Sequence, residues 1–323
     1  NHVLQKYNIN ISFDDELYYA LIPSPHYLSK NVSILKDKRK IAKIEKMKIL
    51  ISSKNFFNFN KIFIKDIIFD KADFNIQLND LSFFEKLLKT EPNENQIIFK
   101  NSNIFYENKY NEILFINKIN KSRFFYDSNN LQNVLSSENK IFNLPFKLLI
   151  KNDKFNKIIN TSFDIKKLRL NIDTKLNYND KIKEGETNIK FINKDTSFDF
   201  KIDKNSLKFF SNKDKNTYNG QIDFKPFYFS ADFNYVGLSA KNLFNEDSIL
   251  VDLIKTEIFS NQNLNANISF NLKDITDINE LNNLSLNIDI QEGEINFSKS
   301  NLMWKKDLKI TFNESFLTYD ENE

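Results

Sequence analysis

The chain has 323 residues, with 46 Lys plus Arg against 43 Asp plus Glu and a net charge of +3, so it lacks the clustered basic excess that nucleic-acid binding requires. It has no Cys and two His, which excludes disulfide frameworks, thiolate metal sites, thiol catalysis and a His-rich metal centre. Hydrophobic residues at 41% and aromatics at 14% exclude a wholly disordered chain. The alphabet is skewed, with 50 Asn and 33 Phe against 4 Gly and 5 Pro, the usage of an AT-rich coding sequence. The Asn residues alternate with Ile, Leu and Phe and form no polar tracts, unlike prion-like segments. Gly185, Gly220, Gly237 and Gly293 are isolated, so no Gly-rich phosphate cradle exists. No stretch reaches the roughly 18 apolar residues of a spanning helix. The chain opens Asn1-His2-Val3-Leu4 with no signal peptide and reads as a fragment of a longer chain.

Taken in chain order, the basic run Lys36-Asp37-Lys38-Arg39-Lys40 lies between strand candidates and reads as a solvated loop, with a membrane-headgroup contact as its alternative. A weak recurrence follows. Residues 68–74, 99–105 and 119–125 each join an apolar strand end to a polar step, a small residue and a new apolar run, and 311–317 repeats the form. This points to stacked strand–turn–strand units along one axis. Leu81, Phe84, Leu87 and Leu88 predict a short helix over 81–88. From Leu168 to Tyr178, Phe198 to Asp203, Leu264 to Leu272, Leu284 to Ile290 and Leu308 to Phe312 the apolar residues recur every second position. That is the pattern of antiparallel strands with one apolar and one wettable face. Asn177–Asp180 and Gln291–Glu294 are turn candidates, with Asn standing in for glycine at positive φ. Ile249, Leu250, Leu253, Ile254 and Ile258 predict a helix over 247–259, capped by Asn245 or Asp247. Asp277–Leu281 is a candidate single turn.

Chemistry is sparse. Asp14-Asp15-Glu16 has no EF-hand spacing and reads as a solvated turn. Ser24 and His26 are too close in sequence for a triad and have no nucleophile elbow. Trp304 is a lone aromatic suited to core packing or to capping a sheet edge. Lys interleaved with aromatics would suit single-stranded nucleic acid, but Asp199 and Asp203 share the polar face with Lys201 and would repel phosphate. No catalytic, cofactor or metal site is expected.

Three stretches together resemble the AsmA-like family. Asn8–Phe13 followed by Leu21-Ile22-Pro23-Ser24-Pro25-His26 and a strand to Ile34 is similar to the family's opening strand, proline corner and second strand. Phe69–Phe74 is similar to its next strand, and Ile249–Tyr319 to its C-terminal part. Pro23-Ser24-Pro25-His26 is the most specific element. The resemblance implies a periplasmic, inner-membrane-anchored protein of a Gram-negative bacterium, related to groove-type lipid transporters and acting in outer-membrane biogenesis. The family's N-terminal anchor is missing from this sequence.

The expected fold is mainly β: an elongated, curved antiparallel sheet, an open groove or half-barrel with a few short helices. Two regions are expected, 1–135 and 136–323, with one continuous sheet as the alternative. The trough candidates are Leu170, Ile172, Phe198, Phe200, Phe229, Phe233, Ile268, Phe270, Leu286 and Ile288, and the expected ligand is a phospholipid or other envelope lipid. The competing reading packs these residues into a closed core against the 247–259 helix. A module binding another envelope protein by its sheet edge is the functional alternative. A membrane β-barrel and a hydrolase rank below both.

Overall fold

The computed structural model describes residues 9–36, 39–52, 63–77, 80, 95–108, 110–179, 183–191, 194–211, 217–224, 226–239, 261–278, 280–305 and 307–317. The fold is mainly β, and the described residues include no helix of seven or more residues. The predicted helices at 81–88 and 247–259 lie outside the described residues. The chain divides into two compact units, Asn1–Lys167 and Leu168–Glu323. Residue 135 lies inside the strand Gln132–Ile141, which pairs with both the strand before it and the strand after it.

The first unit holds β1 (Ile9–Phe13), β2 (Tyr18–Ala20), β3 (His26–Lys36), β4 (Arg39–Ile51), β5 (Ile64–Gln77), β6 (Gln96–Glu107), β7 (Ile113–Asp127), β8 (Gln132–Ile141), β9 (Leu144–Asp153) and β10 (Ile158–Ile165). β1 and β2 both pair with β3, and β3 to β10 then pair in chain order. All these pairs are antiparallel except β5–β6, which is parallel. An antiparallel sheet was expected, and this pair makes it mixed. A parallel pair needs a long return connection, and residues 78–95 supply its length. Val32, Ile44, Met47 and Ala72 form the core, packed by Ile11, Ile34, Ile49, Ile67, Phe69 and Phe74.

The sequence recurrence has a structural cause other than stacked repeats. In β3, Ser29 and Val32 face the core while Lys30 and Asn31 are exposed between them. β5 does the same with Phe69, Asp70, Lys71 and Ala72, and β6 with Phe99, Lys100, Asn101 and Ser102. In β7 the outward pair is Asn120 and Lys121, between buried Ile119 and Ser122. Each strand therefore carries one extra residue, and the pairing sets the extras side by side. Lys30 opposes Lys46, Lys46 opposes Asp70, Asp70 opposes Lys100 and Lys100 opposes Lys121. Asn31, Lys71 and Asn101 sit at φ of 50°, 53° and 48°, the left-handed region that bulges use. The result is a crease running across five strands. It is held outside by Lys71 Nζ to Glu45 at 2.9 Å and Asn101 Nδ2 to Asp70 at 3.1 Å, and inside by Ala72 N donating to Ser102 Oγ at 3.1 Å. The fourth copy, 311–317, lies outside this unit, spanning the end of one strand, a turn and a two-residue strand.

Two residues of the basic run grip an acid. Lys36 Nζ lies 2.9 Å from Asp80 Oδ1, Arg39 bonds Asp80 Oδ2, and Gln77 N donates to Asp80 at 2.9 Å. Burial opposes ionisation of Asp80, but the bonds from Lys36, Gln77 and Arg39 outweigh it and hold the carboxyl below its ordinary value of 3.8. A lowered folded pKa gives stability that is complete above the ordinary value and lost as pH falls through the folded one. Asp80→Asn is expected to cost about 1–2 kcal/mol at neutral pH, the partners being partly exposed. The difference from wild type should shrink as denaturant melts are taken below the ordinary carboxylate value.

The second unit begins with Leu168 of a 3₁₀ turn, Lys166–Leu168. It continues through β11 (Leu170–Asn177), β12 (Lys183–Phe191), β13 (Lys194–Ile202), β14 (Ser206–Ser211), β15 (Thr217–Phe224), β16 (Phe227–Leu238), β17 (Ala266–Ile275), β18 (Leu281–Gln291), β19 (Glu294–Asn296), β20 (Asn301–Trp304), β21 (Leu308–Thr311) and β22 (Phe316–Leu317). β11 to β16 form an antiparallel meander, β16–β17 is parallel, and β17–β18 is antiparallel. The parallel pair again departs from expectation, with residues 239–265 as its return connection. β18 pairs with both β19 and β20, and the short β21 and β22 finish this edge. Trp304 pairs with Leu281 and Leu308 there and is 40% exposed, an edge cap and not a core residue. The predicted turn at Asp277–Leu281 is present as Leu281 N donating to Ile278 O at 3.0 Å.

Turn chemistry follows the missing glycines. Among the described residues, 14 non-Gly residues have positive φ, five of them Asn and four Lys, so Asn substitutes for glycine only in part. The predicted Gln291–Glu294 hairpin closes with Glu292 at φ 51° and Gly293 at 86°. Both central residues are left-handed, as in the tight turn that favours Asn-Gly. Glu292→Asn is therefore expected to raise stability by about 0.5–1 kcal/mol, read by thermal melting.

Candidate functional site

Directly opposed residues on paired strands point to the same face of a sheet, so the register of the second unit sorts its side chains. One row runs Leu176, Gly185, Phe200, Phe209, Gly220, Ala231, Ile268 and Ile288. The next runs Tyr218, Phe233, Phe270 and Leu286, and a third Ile222, Phe229, Ala266 and Ile290. Ile172 opposes Ile189, which opposes Thr196, and Leu170 and Phe198 lie two residues along their strands. All ten trough candidates thus lie on one face of β11–β18. Phe198 and Phe200 are buried, at 9% and 6% exposure, while the other eight are half-buried.

The opposite face is largely polar, with Phe210 of β14 as an apolar exception. It carries Asn171, Asp173 and Lys175, then Glu184, Glu186 and Asn188, then Ser197, Asp199 and Lys201. Lys201 Nζ meets Glu184 at 2.8 Å, in a shallow depression that Lys175, Glu186 and Asp199 also line. On β16–β18 the polar face is knitted by amides: Asn271 Nδ2 donates to Asn234 at 3.0 Å, Ser285 Oγ to Asn271 at 2.9 Å, and Ser269 Oγ to Asn287 at 2.9 Å. This is one use of the Asn excess, since an amide offers both donor and acceptor to its cross-strand neighbour.

The apolar face is paved with rings. Phe198 contacts Phe209 and Tyr218 at centroid distances of 5.4 and 5.5 Å, Tyr218 contacts Phe233 and Tyr235 at 6.0 and 5.2 Å, and Tyr235 contacts Phe270 at 5.0 Å. Phe209 and Phe229 stack at 6.3 Å. Phe198 and Tyr218 stand on β13 and β15, two strand spacings or about 9.6 Å apart. Their rings close much of that distance above β14, where Ser211 opposes Tyr218. The rings of Phe209 and Phe229 likewise converge above β15, over Gly220. Glycine shapes the floor of the face. A Cβ on Gly185 would lie 2.4 Å from Phe200 Cζ, and one on Gly220 would lie 2.3 Å from Phe209 Cζ. Each ring therefore lies flat over the glycine opposite it, which explains how Phe200 is buried within a single sheet.

Polar atoms on this face are few. Thr174 and Thr187 hydroxyls lie 3.0 Å apart. Burial first, and then the Tyr218 hydroxyl bonded to it, push the Tyr235 phenol above its ordinary value. Phe209, Tyr218, Tyr235 and Ile189 belong to the face but were not among the sequence candidates. The alternation in Leu207–Phe209 and Tyr218–Ile222 was the signal for Phe209 and Tyr218.

Elsewhere, His26 is 5% exposed with Nδ1 2.7 Å from the Ser24 carbonyl oxygen. That contact locks the proline corner and does not engage the Ser24 hydroxyl. Asp15 accepts from Asn31 Nδ2 at 3.1 Å. Among the described residues no group of three or more His, Asp or Glu is placed to hold a metal ion, and no helix is long and apolar enough to cross a membrane. Comparison with models of known protein families and with curated proteins finds no match.

Proposed function

We propose that this chain is a non-enzymatic envelope protein of AsmA type, periplasmic and tethered to the inner membrane, that binds or guides phospholipid in outer-membrane biogenesis. The observation that carries the reading is the continuous, ring-paved apolar face of β11–β18, on which eight of the ten trough candidates are half-buried. Acyl chains laid on such a face gain about 0.8 kcal/mol per buried CH₂. The Pro23-Ser24-Pro25-His26 corner and the strands around it support the family assignment. Native mass spectrometry with lipid extraction, on chain expressed in a Gram-negative host, tests the reading. Co-purifying phospholipid supports it, and a lipid-free stable monomer sinks it.

One feature favours the scaffolding alternative. β21 and β22 form an edge with Leu308 at 59%, Phe316 at 60% and Leu317 at 53% exposure, an open template for a strand of another protein. A stoichiometric protein partner in the same spectrum, without lipid, would select that alternative.

A further inference from the structure

Turns are ordinarily polar, yet at one end of the first unit's sheet they are tipped with apolar side chains. His26, Leu50, Asp66 and Gln96 lie in one register row near that end. Beyond it project the Leu21–Pro25 corner, the β7–β8 turn after Asp127 and the β9–β10 turn after Asp153. Ile22 is 86% exposed, Leu21 62%, Phe155 78% and Leu131 49%. Leu131 also sits at φ 55°, where Asn would be at ease and a bulky apolar residue is uncommon. The turn carboxylates beside them are occupied. Asp127 Oδ1 accepts from Asn129 N and Asn130 N, and Asp153 Oδ1 from Phe155 N and Asn156 N. Phe155 stands between Lys154 and Lys157.

We propose that this end of the first unit docks on the surface of a phospholipid bilayer, inserting Leu21, Ile22, Leu131 and Phe155 among the headgroups. The spacing favours a bilayer over a protein. The two hairpin turns stand two strand spacings apart, about 9.6 Å, and the proline corner about 20 Å further along the sheet. A protein partner would need a separate pocket for each tip, whereas a fluid interface accepts isolated apolar side chains at any spacing. The flanking lysines suit anionic headgroups. Among the described residues, the opposite end exposes Tyr110 and Ile113 around the β6–β7 turn. Docking goes beyond cargo binding, and the two are separable because they use different units.

Flotation with vesicles of phosphatidylethanolamine and phosphatidylglycerol tests the proposal. The wild-type chain should float, and Leu131→Asn with Phe155→Asn should weaken partition at least about tenfold. Asn suits the backbone at 131, and position 155 is exposed, so the variant should melt as wild type does. Tyr110→Asn should float unchanged, as should a variant emptied of cargo by changes on β16 and β17. Failure of the wild-type chain to float, equal flotation of the double variant, or flotation abolished by high salt would each overturn the proposal.

Discussion

Phe233→Ser combined with Phe270→Ser is expected to strip co-purifying phospholipid from the protein while leaving it folded. The two rings oppose each other directly across the parallel β16–β17 pair, on the row that also holds Tyr218 and Leu286. Both are half-buried, so part of each ring is open to a ligand and part packs on neighbours. Losing two half-contacts with an acyl chain should weaken binding by about 2–3 kcal/mol, or roughly fiftyfold. Phe233→Leu with Phe270→Leu keeps the surface apolar and should retain lipid. Native mass spectra of the two double variants, at matched stability by denaturant melting, decide the matter. Equal lipid in the Ser variant would remove β16–β17 from the binding face.

Gly220→Val is expected to be among the most damaging single substitutions in the second unit, lowering its stability by about 3 kcal/mol or more. The new Cβ would lie 2.3 Å from Phe209 Cζ and 2.5 Å from the Ser230 carbonyl oxygen. The ring has room to swing, but the carbonyl belongs to the β15–β16 ladder and does not. Moving the Phe209 ring off the floor would also break its stacking on Phe229. Denaturant unfolding of the second unit reads the loss, and Phe209→Ala in the same chain should restore only part of it. Full restoration would mean that the ring alone, and not the backbone, makes the glycine necessary.

Alternation made the candidate face legible before any pairing was known. Leu170, Ile172, Phe198, Phe200, Ile268, Phe270, Leu286 and Ile288 stand in strictly alternating runs, and such a run fixes which residues share a face. Neighbouring strands had only one way to turn those faces if the apolar sides were to meet. Pairing direction was not legible, because an alternating strand reads the same whether its neighbour is parallel or antiparallel. Hence β5–β6 and β16–β17 departed from the expected antiparallel sheet. The division after Lys167 was equally silent, since residue types do not change between β10 and β11. Asp80 was missed as the partner of Lys36 and Arg39 because more than 40 residues separate it from them.

The crease of the first unit bears on how this restricted alphabet specifies one structure. A strand that alternates Ile, Phe, Asn and Lys is nearly unchanged by sliding two residues along its neighbour, since every side chain keeps its face. Long strands of few residue types therefore risk many near-equal alignments. An extra outward residue at one level of each strand removes that ambiguity. A slide of two would set Lys71 of β5 against regular ladder positions of β4 and β6 and leave three left-handed residues without matching gaps. The five bulges thus act as an index mark, carrying alignment information that composition cannot. Deleting Asn101 alone would turn the half-strand Ile104–Tyr106 inside out, whereas deleting the extra residue from all five strands would leave a straighter sheet free to misalign.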